Sequence, residues 1–216
     1  MMIAQPIFEG VHSVALVANG VVSDFQLIAR LIHNYEKCIA IDGGLQHCHL
    51  MNIQPDLIVG DCDSVGSELL YQYRNIPIAT FPVDKDDSDT KLAADILHKA
   101  GVKKIGLFAA FGSRIDHSLA NLYLMSNFAD QMVIETETDT SFIVSGRRTI
   151  ECQTGQTISL FPLGAPARGV TTRGLKWELD NATIDRHFFS LANVSQRSSV
   201  EIEINDGTLI CCLVRI

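Results

Sequence analysis

Two periodicities divide this sequence. Through the first two-thirds, short apolar runs alternate with stretches whose apolar positions recur every three or four residues; beyond about Glu137 the helical period is lost. HSVALVANG predicts a strand ending in an Asn-Gly turn. The next segment, SDFQLIARLIHNY, puts Phe25, Ile28, Leu31, Ile32 and Tyr35 on one helical face, with Ser23 as the expected N-cap. CIAI predicts a second strand ending in DGG, residues 45–51 a short helix, DLIVGD a third strand and PIATF a fourth. SDTKLAADILHKAG predicts a helix capped by Asp87 or Ser88 and stopped by Gly101. KKIGLFAAFG predicts a fifth strand and QMVIE a sixth. Between them RIDHSLANLYLMSNF predicts a helix with Leu119, Leu122 and Met125 as its core stripe.

Repeated β–α units of this length predict a mostly parallel, doubly wound sheet with helices on both faces. The later runs, SFIVSG, QTISLFPLG and VEIEINDGTLICCLV, are short and separated by Gly, Pro and Asn. Val200, Ile202 and Ile204 alternate with Glu201 and Glu203, after which NDG predicts a hairpin. The expected architecture is an α/β domain over residues 1–136, followed by a small all-β sandwich over residues 137–216. The single tryptophan, Trp177, is expected to pack inside that sandwich.

In open parallel sheets ligands bind at the carboxyl ends of the strands, and four polar clusters fall at successive strand ends. They are Asp42-Gly43-Gly44, Asp61-Cys62-Asp63-Ser64, the run Asp84 to Asp89, and Gly112-Ser113-Arg114-Ile115-Asp116-His117. Two like charges 4 Å apart repel by roughly 4 kcal/mol at an effective dielectric near 20. Converging carboxylates therefore call for a cation. Hard oxygen donors without convergent Cys or His favour Mg²⁺ over Zn²⁺, and Mg²⁺ implies a phosphate substrate. Any one cluster alone reads as an ordinary turn or helix cap; four on one rim read as a site. Lys85 and Arg114 would steady phosphate charge, Arg114 through a bidentate contact. Gly43, Gly44 and Gly112 would let backbone N–H groups approach an anion. His47 and His49, two apart on a helix, are wrongly spaced to share a ligand.

Composition narrows the field. Apolar residues make up 47% and charged residues 19% of the 216, a globular balance, and the net charge of −8 argues against a nucleic-acid partner. No run of eighteen apolar residues and no basic-then-apolar leader occurs, so neither a membrane span nor a signal peptide is expected. The six cysteines form no C-x-x-C pair and lie mostly in apolar segments, which predicts reduced core thiols in a cytoplasmic protein.

Together, PDLIVGDCDS, DKDDSDTKLA, FGSRIDHSLANLYL and GLKWELDNATI resemble the thiamin pyrophosphokinase family, in its order and at its spacing. The resemblance implies transfer of a diphosphate from ATP to the hydroxyl of thiamin, giving thiamin diphosphate and AMP. It also implies a homodimer with thiamin bound at the interface. By position, Asp61, Asp63 and Asp89 resemble the family's Mg²⁺ and ATP-phosphate ligands. Asp42 resembles the carboxylate near thiamin, with Lys85 close by, and Arg114, Asp116 and His117 match the segment lining the nucleotide site. Ser195 and Gln196 stand where the family usually has Ser-Asn for the aminopyrimidine. Gln196 is thus a departure, as are Ser113 for a second Gly, Ser88 for Thr and Cys62 for an aromatic residue. Asp42 or Asp89 would accept the hydroxyl proton. Two rivals remain at this level. LIVGDCDSV also resembles the nucleophile strand of haloacid-dehalogenase-like phosphatases, and a thiamin- or nucleotide-binding sensor without turnover would keep the same fold.

Overall fold

The computed structural model describes residues 5–81, 87–112 and 114–216. The chain divides into two compact units, Met1–Leu124 with Gln131–Glu137, and Met125–Asp130 with Thr138–Ile216.

In the first unit, after the short helix α1 (Gln5–Phe8), six parallel strands form the sheet. They are β1 (Ser13–Val17), β2 (Lys37–Ile41), β3 (Leu57–Val59), β4 (Ile78–Ala79), β5 (Lys104–Phe108) and β6 (Met132–Glu135), in the spatial order β6-β5-β1-β2-β3-β4. The central strands are continuous apolar runs because helices cover both faces: Val14 to Val17 and Ile105 to Phe108 are all buried, Gly106 among them. Strands β1 to β4 step one way across the sheet, and β5 then crosses to the other side of β1. The order therefore reverses between β1 and β5, the point at which such sheets open a crevice.

The helices largely follow the predicted periodicity. In α2 (Phe25–Ile32) Ile28 and Ile32 are buried, but the cap is Asp24, not Ser23: its carboxylate accepts from the Leu27 N–H at 2.9 Å. Ser23 instead donates N–H and hydroxyl to Glu137, which also accepts from the Asp24 N–H. Burial opposes ionisation of Glu137, but these donors outweigh it and hold the carboxyl below its usual range. Helix α3 (Gly44–Leu50) follows β2 directly, and α4 (Ser67–Gln72) is a helix the apolar pattern did not announce. Ser88 caps α5 (Asp89–Lys99) through the Lys91 N–H. In α6 (Ile115–Asn127) the expected core stripe fails at its first member. Leu119 is 49% exposed, and Ile115 and Tyr123 one turn to either side are exposed too, while Met125 is fully buried.

The second unit holds two antiparallel sheets built from β7 (Asp139–Val144), β8 (Arg147–Glu151), β9 (Thr157–Pro162), β10 (Ala167–Arg173), β11 (Ala182–Ile184), β12 (Ser190–Val194), β13 (Ser199–Glu203) and β14 (Leu209–Val214). One runs β12-β9-β14-β7 and the other β11-β10-β13-β8. The expected hairpin is absent, because β13 and β14 lie in different sheets. Alternating Val200, Ile202 and Ile204 suit a strand with one face in the core. The consecutive buried residues Leu209, Ile210 and Cys211 instead suit a strand covered on both faces, and β14 lies between β7 and β9. The Asn205–Thr208 segment is thus a crossing between layers, and Gly207 at φ 91° makes it. Trp177 is 56% exposed rather than packed. All six cysteines are free thiols. Among the described residues no helix is long and apolar enough to cross a membrane.

Candidate active site

A cavity of about 540 Å³ opens at the carboxyl ends of β1, β2 and β5, at the reversal in strand order. That volume suits a small organic ligand. Its walls are the backbone of residues 18–20 after β1 and 109–112 after β5, with Asp42, Asp63, Asp89, Arg114 and His117 turned toward the space. The two backbone segments are laced together. The N–H groups of Ala18, Gly20 and Val21 donate to the carbonyls of Phe108, Ala109 and Phe111 at 3.0, 2.8 and 2.7 Å. A side chain at Gly20 would run into the Phe111 and Ala109 carbonyls.

The carboxylates gather around Cys62. Asp42 adopts φ 45° and Cys62 φ 58°, left-handed conformations that cost a non-glycine residue about 1–3 kcal/mol each. This backbone turns the Cys62 N–H toward Asp42 Oδ1 at 3.5 Å, and the Asp63 N–H donates to Asp61 Oδ1 at 3.1 Å. Gly60, at φ 132°, leaves the room that the Asp42 carboxyl occupies. Asp42 also lies within hydrogen-bonding reach of Asp89. Burial, the Asp89 hydrogen bond and charge, and the Asp61 charge push its pKa up to about 7, against the opposing Cys62 N–H. The Cys62 thiol is itself pushed up, by burial first and then by Asp42, Asp61, Asp89 and Asp63. It is an inert thiol set among four carboxylates.

On the far wall Arg114 is not a free cation. Its Nε and Nη2 donate to Asp116 at 3.2 and 2.6 Å, and this hydrogen-bonded pairing lowers the Asp116 pKa to about 2. Both side chains are exposed, so Arg114 can be shared with an incoming phosphate. His117 lines the cavity. Asn121, buried beneath it, donates to the Ala110 carbonyl at 2.7 Å and fixes the segment after β5.

The structure thus brings Asp42, Asp63, Asp89, Arg114 and His117 to one cavity, with Asp61 against Asp42 and Asp116 against Arg114. Among the described residues no three His, Cys, Asp or Glu side chains close around a single metal position. The donor set nevertheless fits Mg²⁺: the atoms are hard carboxylate oxygens, and burial together with the neighbouring Asp89 and Asp61 carboxylates disfavours the charge on Asp42 that a divalent cation would offset. Lys85, with Asp84, Asp86 and Ser113, lies outside the described residues. Ser195 and Gln196 belong to the second unit. Ser195 is 1% exposed, its hydroxyl donating to the Gln153 carbonyl and accepting from the Gln156 N–H, so it braces a turn. Gln196 has an exposed side chain and a backbone N–H donated to the Gly174 carbonyl at 2.8 Å. Asn19-Gly20 reads from the sequence only as a turn, and Asn121 does not stand out there. The first pair follows a strand like the four clusters but carries no charge. Asn121 sits in a helix interior, where an amide looks like an ordinary surface residue.

The chain also matches known proteins. A family model described as the catalytic domain of thiamin pyrophosphokinase matches residues 28–135, and one described as its vitamin B1 binding domain matches residues 147–209. Thiamine pyrophosphokinase 3 of Oryza sativa subsp. japonica is 31% identical over 176 residues, which is 73% of this chain and 65% of the relative. Thiamine pyrophosphokinase 1 of the same plant is 28% identical over 178 residues, 74% of this chain and 66% of the relative. The chain spans just under two thirds of the length of these relatives. Among solved structures, the thiamine pyrophosphokinase of Bacillus subtilis superposes with a TM-score of 0.82 at 20% identity, over 94% of this chain and 99% of that one. The yeast thiamin pyrophosphokinase gives 0.82 at 17% identity, over 96% and 87%. These two likenesses establish the fold. None of the matches favours the phosphatase or the silent-sensor reading.

Proposed function

The chain belongs to the thiamin pyrophosphokinase family, and from that premise we propose that it transfers a diphosphate from ATP to the hydroxyl of thiamin, releasing AMP. The observation that carries the reading is the convergence of Asp42, Asp63, Asp89, Arg114 and His117 on one cavity at the sheet's reversal point. The backbone of residues 18–20 and 109–112 would hold the nucleotide, with Arg114 and His117 along its phosphates. Asp61, Asp63 and Asp89 would hold Mg²⁺, which when bound supplies charge neutralisation on the phosphate oxygens. The thiamin hydroxyl oxygen attacks the β-phosphorus in line, the bond from that phosphorus to the α-bridging oxygen breaks, and AMP leaves with the electron pair. The hydroxyl proton passes to the Asp42–Asp89 pair, whose carboxyl groups already lie within hydrogen-bonding reach of each other. Positioning and electrostatics carry most of the rate.

Lys85 and Gln196 are the proposed contacts on the acceptor side, with Ser195 bracing the turn that carries Gln196. Both units carry exposed apolar side chains, Ile115, Leu119 and Tyr123 in one and Trp177, Phe188 and Leu191 in the other, which supports a homodimer that covers them. A cytoplasmic location accords with the six free thiols. The deciding experiment incubates the protein with ATP, Mg²⁺ and thiamin. AMP formed only when thiamin is present supports the reading; ADP, or no product, refutes it.

A further inference from the structure

One histidine that the reaction does not use sits behind the cavity. His47, one turn into α3, points its Nε2 at the Gly20 carbonyl, 2.7 Å away, with its ring 5.6 Å from the Phe25 ring. A carbonyl can only accept, so Nε2 carries the proton. Nδ1 is then left buried with no partner among the described residues, and it is the only buried side-chain nitrogen or oxygen so placed among them. Leaving a buried polar atom unpaired costs stability in either protonation state, and a residue chosen for packing alone would not incur it. The bond that His47 does make falls on a wall of the cavity. Gly20 lies there, donates its N–H to the Ala109 carbonyl, and has His47 as the donor to its own carbonyl. The neighbouring Asn19 side chain packs on Gly43, where an added Cβ would come within 2.3 Å of Asn19 Nδ2. The segment after β1 is therefore pinned from two sides, by β5 and by the helix that starts beside Asp42.

We infer that His47 is a positioning residue for the nucleotide: its hydrogen bond to Gly20 fixes the cavity wall made by residues 18–20 relative to Asp42. The inference rests on the nucleotide reading of the cavity. It separates from that reading because the histidine touches no reacting atom and should act on nucleotide binding alone.

The test compares the full-length parent with His47→Leu and His47→Gln. Leucine fills the space without donor or unpaired nitrogen; glutamine keeps an N–H that can reach the Gly20 carbonyl. Binding of α,β-methylene-ATP with Mg²⁺ is measured by calorimetry, the Michaelis constants for ATP and thiamin by AMP release, and stability by thermal melts. His47→Leu should weaken analogue binding and raise the ATP KM by about 5- to 30-fold, the size of one lost hydrogen bond at a buried acceptor. Its thiamin KM should stay within about twofold, and its Tm should move little, because the hydrogen bond lost to the Gly20 carbonyl and the unpaired nitrogen removed oppose each other. His47→Gln should bind within about threefold of the parent. Parent-like binding by the leucine variant overturns the inference, as does equal weakening in both variants or a joint rise of both Michaelis constants. If the leucine variant does not fold, the glutamine variant decides: retained binding supports the strut, and lost binding in a folded protein overturns it. A parent that fails to bind the analogue at all overturns the nucleotide reading and the inference together.

Discussion

Alanine at residue 60 should disable the protein through a carboxyl group that residue 60 does not carry. Gly60 sits at φ 132°, and a Cβ built there lies 1.7 Å from Asp42 Oδ1 and 2.5 Å from its Cγ. Real Cβ atoms essentially never come closer than 3.0 Å to another heavy atom, so Asp42 has to retreat by more than 1 Å. It cannot do so freely, because its oxygen takes the Cys62 N–H and its carboxyl is bonded to Asp89. Misplacement by about 1 Å costs on the order of 100-fold in turnover. The strained backbone adds about 1–3 kcal/mol of lost stability, or roughly 2–12 °C in melting temperature for a chain of this size. Steady-state AMP release and a thermal melt measure both. Gly66→Ala is the control on the same connection, since nothing lies within 4 Å of its Cβ position and its φ is −60°. It should fall within about 0.5 kcal/mol of the parent. Turnover within twofold of the parent in Gly60→Ala, with an unchanged melt, would refute the claim that Asp42 must stand where it does.

Three further outcomes are expected. Because Asp42 is raised to about 7 from 3.8, the folded state holds its proton more tightly than the unfolded chain. Its contribution to stability is present in full below about pH 4 and is lost as pH rises through about 7. Mg²⁺ should therefore raise the melting temperature more at pH 8 than at pH 5.5, and an equal rise at both would contradict the crowding described here. Glu137→Ala removes the acceptor of three donors at the start of α2, which should cost about 1 kcal/mol, or roughly 2–4 °C, at neutral pH. The lowered pKa of Glu137 means that this loss fades as pH falls through its folded value, so melts of parent and variant should converge in acid. Gln196→Ala should raise the thiamin KM by about fivefold or more while leaving the ATP KM unchanged, one hydrogen bond's worth; a shift in the ATP KM instead would place the acceptor elsewhere.

The apolar runs revealed the parallel strands most clearly where β1, β2, β3 and β5 are buried on both faces, and the strand-end rule then collected Asp42, Asp63, Asp89 and Arg114 without any geometry. What escaped was set by contacts distant in sequence. Ser23 and Asp24 are equally good caps on paper; Glu137, more than a hundred residues away, takes the N–H and hydroxyl of the first and leaves the second to cap α2. NDG looked like a hairpin because local turn chemistry says nothing about which sheet receives the next strand. His47 looked idle for a related reason: spacing rules find residues that share a ligand, and this one serves a backbone carbonyl twenty-seven positions away.

The placement of β14 sets an order of events for the chain as it is made. Its partners, β7 and β9, precede it by some fifty to seventy residues, and until it arrives those two strands have no neighbour between them to satisfy their facing N–H and C=O groups. Closing such long loops is slow compared with forming local helices and turns. A ribosome-bound chain stopped before Leu209 would therefore present two open strand edges from the second unit, the kind of surface that chaperones bind and that pairs with other chains. Loss of β14 would thus remove a middle strand of its sheet, not an edge strand.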